Sequence, residues 1–402
     1  QVGRLARAMS LLPVAEAQAR LLALGRRLPD EHIPVSDCAG RWLARDVLSL
    51  RDQPWADLSA MDGYAIRAAE WPGPWRVTAE STAGGTLPPP LAPGESCRIF
   101  TGAPLPLGAD TVLIQEDADL SNDSLSARGP ALPIGRNVRP AASDFRKNQL
   151  LLPLGTALGP AQIALAVLGG HGALPVGARP RVALLSTGNE LVPPGSPTPA
   201  GRLPSSNAPM LAAMLGAVGC EILDIGIVPD DLDAMKQALE HASQADIIVS
   251  TGGASVGDHD LVRPAFAAVG GDLDFWKIRM RPGKPLMAGK LRDAIFLGLP
   301  GNPVSAFVTA TLFLLPLVRH MAGAANPLPR TAVATLAAPL PATGDRDDYL
   351  RAFRTSDGMI AVTSQDSAAT AAMAQADSLI LRPAGSPPAD TGDQVTILPL
   401  SP

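Results

Sequence analysis

Between residues 181 and 322 apolar and polar positions fall into blocks of two alternating kinds. Nearly unbroken apolar runs ("RVALLST", "EILDIGIV", "ADIIVST", "DFWKIRM", "AIFLGL") have the length and content of buried strands. Between them, "SNAPMLAAMLGAVG", "DDLDAMKQALEHAS" and "DLVRPAFAAVG" carry apolar residues at helical spacing. Asp230, Asp231 and Asp233 crowd the expected first turn of the second helix, where the backbone dipole favours negative charge. Asn302 is placed to cap a further helix, and Pro303 suits its first position, where a missing N–H costs nothing. Strands alternating with helices predict a mostly parallel, doubly wound α/β sheet. Ligands of such sheets bind at the carboxyl ends of the strands. Two of these ends read Ser-Thr-Gly, at Ser186, Thr187 and Gly188 and again at Ser250, Thr251 and Gly252.

Elsewhere the texture changes. Residues 13–28 predict a helix, 48–139 carry short β-like runs ("WRVTAE", "DTVLIQED") among Pro and Gly, and 157–170 predict another helix. After residue 326, "TAVATL", "YLRAF", "MIAVTS", "SLILRP" and "QVTILPL" predict a small all-β domain. The most apolar stretch, "VSAFVTATLFLLPLV", is shorter than the roughly 20 residues of a bilayer span and contains Pro316, so a buried core helix and no membrane are expected.

Composition narrows the partners. Gly (38) and Pro (41) make up about a fifth of 402 residues and are spread out, which implies many turns. A net charge of −5 speaks against non-specific nucleic-acid binding, so an anionic ligand needs a local basic patch. Cys38, Cys97 and Cys220 lie far apart without a CxxC pair, which fits a reducing cytoplasm. The start, "QVGRLARAMSLLPVAEA", has no apolar signal core. It opens on Gln1, so some native N-terminal sequence is expected to precede it.

Such a patch is present in "FWKIRMRPGKP". In a strand Lys277, Arg279 and Arg281 share one face, and the Pro-Gly-Lys turn sends Lys284 towards the same end. The stretch is either a solvated basic edge or an anion site. "LPGNPVSAF" turns a strand into a helix N-terminus with Ser305 nearby, either a plain capped helix or an oxyanion site. Neither a Walker A loop nor GxGxxG is present. "STGGASVGDHD" adds Ser255, Asp258 and Asp260; Asp260 is a helix cap, a partner for a hard cation such as Mg²⁺, or an acceptor for a heterocycle. "SAMDGYAIR", "IFTGAPLPLGADTV" and "GRNVRPAASDF" read, by themselves, as loops.

Taken together, "MDGYAIR", "FTGAPLPLGAD", "GRNVR", "LLSTGNEL", "SSN", "STGGASVGDHD", "RPGKP" and "LPGNPVS" resemble the molybdopterin molybdenumtransferase family, MoeA in bacteria and the gephyrin E domain in animals. The motifs run in the family's order over nearly the whole chain. The resemblance implies a multidomain α/β fold: an elongated linker domain (1–47 and 140–177), a β-rich domain (48–139), a MogA-like α/β domain (178–326) and a C-terminal β-barrel (327–402). It implies Mg²⁺-assisted insertion of molybdate into adenylylated molybdopterin, with release of AMP. It also implies a homodimer with clefts built from both protomers, and transient contact with a MogA-like adenylyltransferase and molybdoenzyme chaperones.

Carried over by position, Ser186, Thr187, Gly188, Glu190, Ser250, Gly252, Gly253, Ser255, Asp260, Pro300, Pro303 and Ser305 would contact the nucleotide–pterin ligand. Lys277, Arg281 and Lys284 would bind phosphate or molybdate, with Arg346, Arg351 and Ser367 completing the molybdate site. Asp62, Thr101 and Asp144 would come from the partner subunit, and Glu190, Asp230 and Asp260 would hold magnesium. Asp62, Asp144, Glu190, Asp260, Lys277 and Arg281 form the catalytic set so implied. Departures from the family pattern are Asn189 for the usual Asp, Ser205 for a common Asp, Ala142-Ser143 for Gly-Glu, and Arg281 for a frequent Lys. An adenylyltransferase that makes the substrate from ATP, and a non-catalytic molybdopterin-binding scaffold, are the competing readings.

Overall fold

The computed structural model describes residues 11–252 and 261–400. Helix α1 (Val14–Leu24) precedes a Pro/Gly-rich region that folds into a six-stranded sheet including Gly63–Ile66, Trp75–Ser81, Glu95–Ile99 and Thr111–Ile114. On either side of this sheet in sequence, Asp30–Pro34 pairs with Ala173–Gly177 and Val47–Leu48 pairs with Leu150–Leu152, next to the Pro160–Leu168 helix. The chain therefore leaves and re-enters one layer.

The α/β block follows in order: β1 (Arg181–Thr187), α2 (Asn207–Gly216), β2 (Glu221–Val228), α3 (Leu232–Ala242), β3 (Ile247–Thr251) and α4 (Val262–Ala268). Next come β4 (Asp272–Trp276), β5 (Met280–Arg281), β6 (Met287–Leu291) and β7 (Ala294–Leu299). The sheet order is β2-β1-β3-β7-β6-β4. The first four strands are parallel and the last two antiparallel. Alternate residues of β1 feed two cores, as a doubly wound sheet requires. Val182 and Leu184 pack with Leu21, Leu211 and Phe313, whereas Ala183 and Leu185 pack with Met235, Leu239 and Phe266.

Helix α5 spans Pro303–Met321 and is the one described helix long and apolar enough, by length and composition, to cross a bilayer; most of it is buried in the core. Residues 310–314 form a π-turn directly ahead of Pro316, a widening that accommodates a residue with no N–H to donate. After it, β8 (Ala332–Thr335), β9 (Asp347–Thr355), β10 (Gly358–Ala361), β11 (Ser378–Arg382) and β12 (Gln394–Pro399) follow one another. These pair β9-β11-β12-β8 with β10 on β9, and a bridge from Leu336 to Met359 closes the set into a small barrel. Tyr349, Leu379 and Leu398 of the barrel share the core of the α/β sheet.

Two expectations change. "MAGKL" is a strand, β6, that its short mixed pattern did not announce. "DFWKIRM" is not one strand: β4 ends at Trp276, and Lys277 has a φ of +83°. The cause lies far away in sequence. Leu12 donates to the Lys277 carbonyl at 3.3 Å and accepts from Arg279 N at 2.7 Å. Then β5 leaves the sheet and pairs in parallel with β9, Met280 against Asp347 and Arg281 against Asp348. Lys277, Arg279 and Arg281 thus do not share one strand face, although Ile278 and Met280 between them stay buried.

Candidate functional site

Three parallel strand ends meet backbone to backbone. Ser186 and Thr251 lie opposite each other in the β1–β3 register. The buried Ser186 Oγ accepts from Thr251 Oγ1 at 3.4 Å and from Ser205 Oγ at 3.3 Å. Gly252 (φ +89°) is required here, because a Cβ on it would lie 2.5 Å from the Thr187 carbonyl and 2.7 Å from Thr187 Oγ1. A Cβ on Gly301, beyond β7, would lie 3.4 Å from the Gly252 Cα. Both Ser-Thr-Gly turns and the Pro300–Asn302 turn therefore form one ledge. Ser250 Oγ is buried on it with no hydrogen-bond partner among the described residues. Behind Ser186 and Ser205 a cavity of about 460 Å³ opens between α2 and β2, lined also by Pro193, Pro194 and Ile222.

Next to Gly188 stands Glu190, exposed, its carboxylate packed against the glycine. The intervening Asn189 is clamped to Asp230: Asn189 N donates to Asp230 Oδ2 at 3.0 Å, and Asp230 N donates to Asn189 Oδ1 at 3.1 Å. Asp230 therefore sits ahead of α3, not in its first turn; Asp231 is the cap, accepting from Asp233 N and Ala234 N.

On the other side of the ledge the barrel closes in. Arg281 Nη2 reaches Asp348 Oδ2 at 2.6 Å, the arginine side chain 57% exposed and the aspartate 6%. Lys284 is exposed, its carbonyl held by Ile278 N, and the Lys277 ammonium lies 4.4 Å over the Trp276 ring. Pro300 and Ser305 are buried; Ser305 passes its carbonyl to Thr309 Oγ1 at 2.7 Å. Asn302 occupies the cap position of α5 without capping it: Nδ2 donates to Ser367 Oγ at 2.8 Å. Val304 N donates to the Ser367 carbonyl at 3.2 Å, so one N–H of the helix start is already satisfied.

Arg351 is 1% exposed and spends its guanidinium on the loop that carries Ser367, donating to the carbonyls of Ser364 and Asp366 at 2.9 Å each. Burial lowers its pKa, against the raising effect of the Asp366 carboxylate. Arg346 keeps a loose 3.8 Å ion pair with Asp345.

A second locus lies on the β-rich sheet. Asp62 Oδ1 accepts from Thr101 N at 2.7 Å and from Thr101 Oγ1 at 2.8 Å, and these two bonds, with a lesser pull from Arg98, hold the carboxyl below its ordinary pKa. Arg98 lies over the rings of Tyr64 and Phe100 and donates to the Gly63 carbonyl. Asp144 is exposed, its N–H bound to the Gln53 carbonyl at 3.0 Å. Among the described residues no hydrogen bond or ion pair ties Asp62, Thr101 or Asp144 to the ledge of their own chain. Gly253, Ser255, Asp258 and Asp260 lie outside the described residues.

Sequence reasoning missed Asp348, Arg98, Asn207 and the second role of Asn302. Asn207, first residue of α2, donates to the Gly301 carbonyl at 2.7 Å and so fixes the ledge; the "SSN" stretch matched the family pattern and a helix start, without a role for its asparagine.

The fold and the ledge define a multidomain α/β protein whose strand-end ledge lies where its sheet meets a C-terminal barrel. Family models described as "MoeA N-terminal region (domain I and II)", "Probable molybdopterin binding domain" and "MoeA C-terminal region (domain IV)" match residues 12–170, 183–320 and 333–400. A molybdopterin molybdenumtransferase of Nostoc sp. is 40% identical over 71% of this chain and 68% of its own. That of Haemophilus influenzae is 34% identical over 78% of each chain, and that of Staphylococcus aureus 30% over 96% of this chain and 95% of its own. A crystal structure of a molybdopterin biosynthesis MoeA protein from Pyrococcus horikoshii superposes with a TM-score of 0.81 at 29% identity, covering 98% of this chain and all of that one. The chain belongs to the molybdopterin molybdenumtransferase (MoeA) family.

Proposed function

We propose that the chain transfers molybdenum: it binds adenylylated molybdopterin and molybdate, places the metal on the dithiolene and releases AMP. The observation that carries this is the junction of sheet and barrel, where Arg281 reaches Asp348 of the barrel and the Asn302–Val304 helix start bonds the Ser367 loop. A tetrahedral dianion needs such cationic and N–H or O–H donors in a sheltered pocket. Arg281, Lys284 and Ser367 are the groups we assign to molybdate, with Lys277 and Arg346 at its margin; Arg351, fully engaged, shapes the loop. We assign the nucleotide–pterin ligand to the ledge of Ser186, Thr187, Gly188, Ser250 and Gly252, with Pro300, Pro303 and Ser305; Gly253, Ser255 and Asp260, outside the described residues, are assigned to the same ligand by sequence.

Magnesium suits this reading in its donor chemistry. Glu190 and Asp230 are hard oxygen donors on adjoining turns, and Mg²⁺ commonly takes one or two carboxylates together with substrate phosphates. Among the described residues no three His, Cys, Asp or Glu are grouped for a metal, so phosphate oxygens, and Asp260, would complete the shell. When bound, the ion neutralises the phosphoanhydride being broken. Asp230 Oδ2 already holds Asn189 N, which fixes the carboxylate's orientation.

We also infer a homodimer; it is supported by an apolar face and by the lack, among the described residues, of a bond between the Asp62 locus and the ledge. Leu48 and Leu150 pair across two strands, and Leu50, Val167 and Leu168 surround them, all exposed. In this reading Asp62, Thr101 and Asp144 of one protomer serve the ledge of the other. The four-part division at residues 47, 139, 177 and 326 is the domain plan we infer. Three free thiols fit the cytoplasm. The test is AMP release from adenylylated molybdopterin with molybdate and Mg²⁺ added singly and together. AMP release that does not depend on molybdate would refute the assignment.

A further inference from the structure

An asparagine at a helix cap ordinarily turns its side-chain oxygen back onto the first free N–H groups. Asn302 does not; it spends its amide on the neighbouring barrel, at Ser367 Oγ. The recipient loop is rigid, since buried Arg351 holds the carbonyls of Ser364 and Asp366, and Asp366 Oδ1 accepts Ala368 N at 2.7 Å. From the opposite side Asn207 holds the Gly301 carbonyl, so both ends of the contact are fixed.

We propose that Asn302 is a positioning residue that turns the Ser367 hydroxyl into a directed hydrogen-bond donor for the oxyanion. A hydroxyl has one hydrogen and two lone pairs. The Asn302 amide occupies a lone pair, so the hydrogen must point elsewhere. No acceptor for it exists among the described residues. The side chain is only partly buried, so that hydrogen is free for a ligand on the side away from Asn302. The ligand's identity as molybdate rests on the function proposed above; the polarity of the Asn302–Ser367 bond does not.

Asn302→Asp is the diagnostic change, because it keeps the shape and reverses the polarity. A carboxylate would draw the Ser367 hydrogen back to itself and set a negative charge beside the anion. Asn302→Ala removes the constraint without reversing it. Molybdate binding to the full chain, measured by titration calorimetry, should weaken roughly tenfold in Asn302→Ala, the scale of one hydrogen bond to a charged group. Asn302→Asp should weaken it further. In a Ser367→Ala background, Asn302→Ala should change molybdate affinity less than about twofold, since interacting sites are non-additive. The KM for adenylylated molybdopterin should stay within about twofold throughout, which a general loosening of the site would not allow. Equal losses in both backgrounds, a harmless Asn302→Asp, or no molybdate binding by the unaltered chain would overturn the proposal. Molybdate binding without molybdate-dependent AMP release would instead sink the proposed reaction and leave the positioning role standing.

Discussion

Arg281 and Asp348 are an ion pair of unequal exposure, a half-exposed guanidinium resting on a buried carboxylate. The two halves should therefore differ in what their loss costs. Arg281→Ala strands the Asp348 carboxylate without its partner and should cost about 1–3 kcal/mol. Asp348→Asn leaves a guanidinium that water can reach and should cost under about 1 kcal/mol. Urea unfolding of both variants checks the order, and the reverse order would show that the carboxylate has another stabilising partner.

Asp62 should titrate differently once Thr101 loses its hydroxyl. The larger cause of its lowered pKa is the Thr101 N–H, which Thr101→Val keeps; the hydroxyl bond is the second cause, which it removes. The variant's Asp62 pKa should rise part of the way to the ordinary carboxylate value, while Thr101→Ser stays near the original. A carboxyl lowered in the folded state contributes stability above its unfolded pKa and loses it as pH falls through the folded one. In Thr101→Val that contribution should be smaller and its loss complete at a higher pH, and the acid limb of activity should move the same way. Carbon-detected NMR of the carboxyl with a pH–rate profile provides the check, and an unmoved pKa would remove the hydroxyl from the account.

Gly252→Ala should be damaging for two independent reasons. Its φ of +89° disfavours any Cβ, and that Cβ would meet the Thr187 carbonyl at 2.5 Å. Backbone strain of this kind costs roughly 1–3 kcal/mol before the clash is counted. Thermal unfolding and turnover should both fall, whereas Gly216→Ala, with open space around it, serves as the silent control.

Leu168→Arg should break the proposed dimer while leaving the protomer folded, because the side chain is exposed in the single chain. Sedimentation should report a monomer and circular dichroism an unchanged fold. AMP release should fall with the dimer if Asp62 and Asp144 act across subunits. A monomer of full activity would refute the shared cleft.

The α/β sheet was largely legible because its information is local. "ADIIVST" is mostly apolar and becomes the fully buried β3 (Ile247–Thr251), and the run of aspartates marked the start of α3, though not which of them caps it. The failures are tertiary. Nothing near Lys277 announces that Leu12 will break the strand there. In "GDRDDY" three aspartates look alike, and only the pairing of β5 with β9 buries Asp348 and gives it a cation. Arg351 was expected among the molybdate ligands, and the carbonyls that engage its guanidinium belong to a loop with no local signature. Asn302 matched a cap rule by position, and a neighbouring domain took its side chain.

The short stretch from Lys277 to Arg281 is hydrogen-bonded to Leu12 near one end of the chain and to the Asp347 strand near the other. A ribosome delivers those partners hundreds of residues apart. The conformation of this turn is therefore set by sequence far upstream and far downstream of it, and the order in which the chain is made is not the order in which these contacts can close.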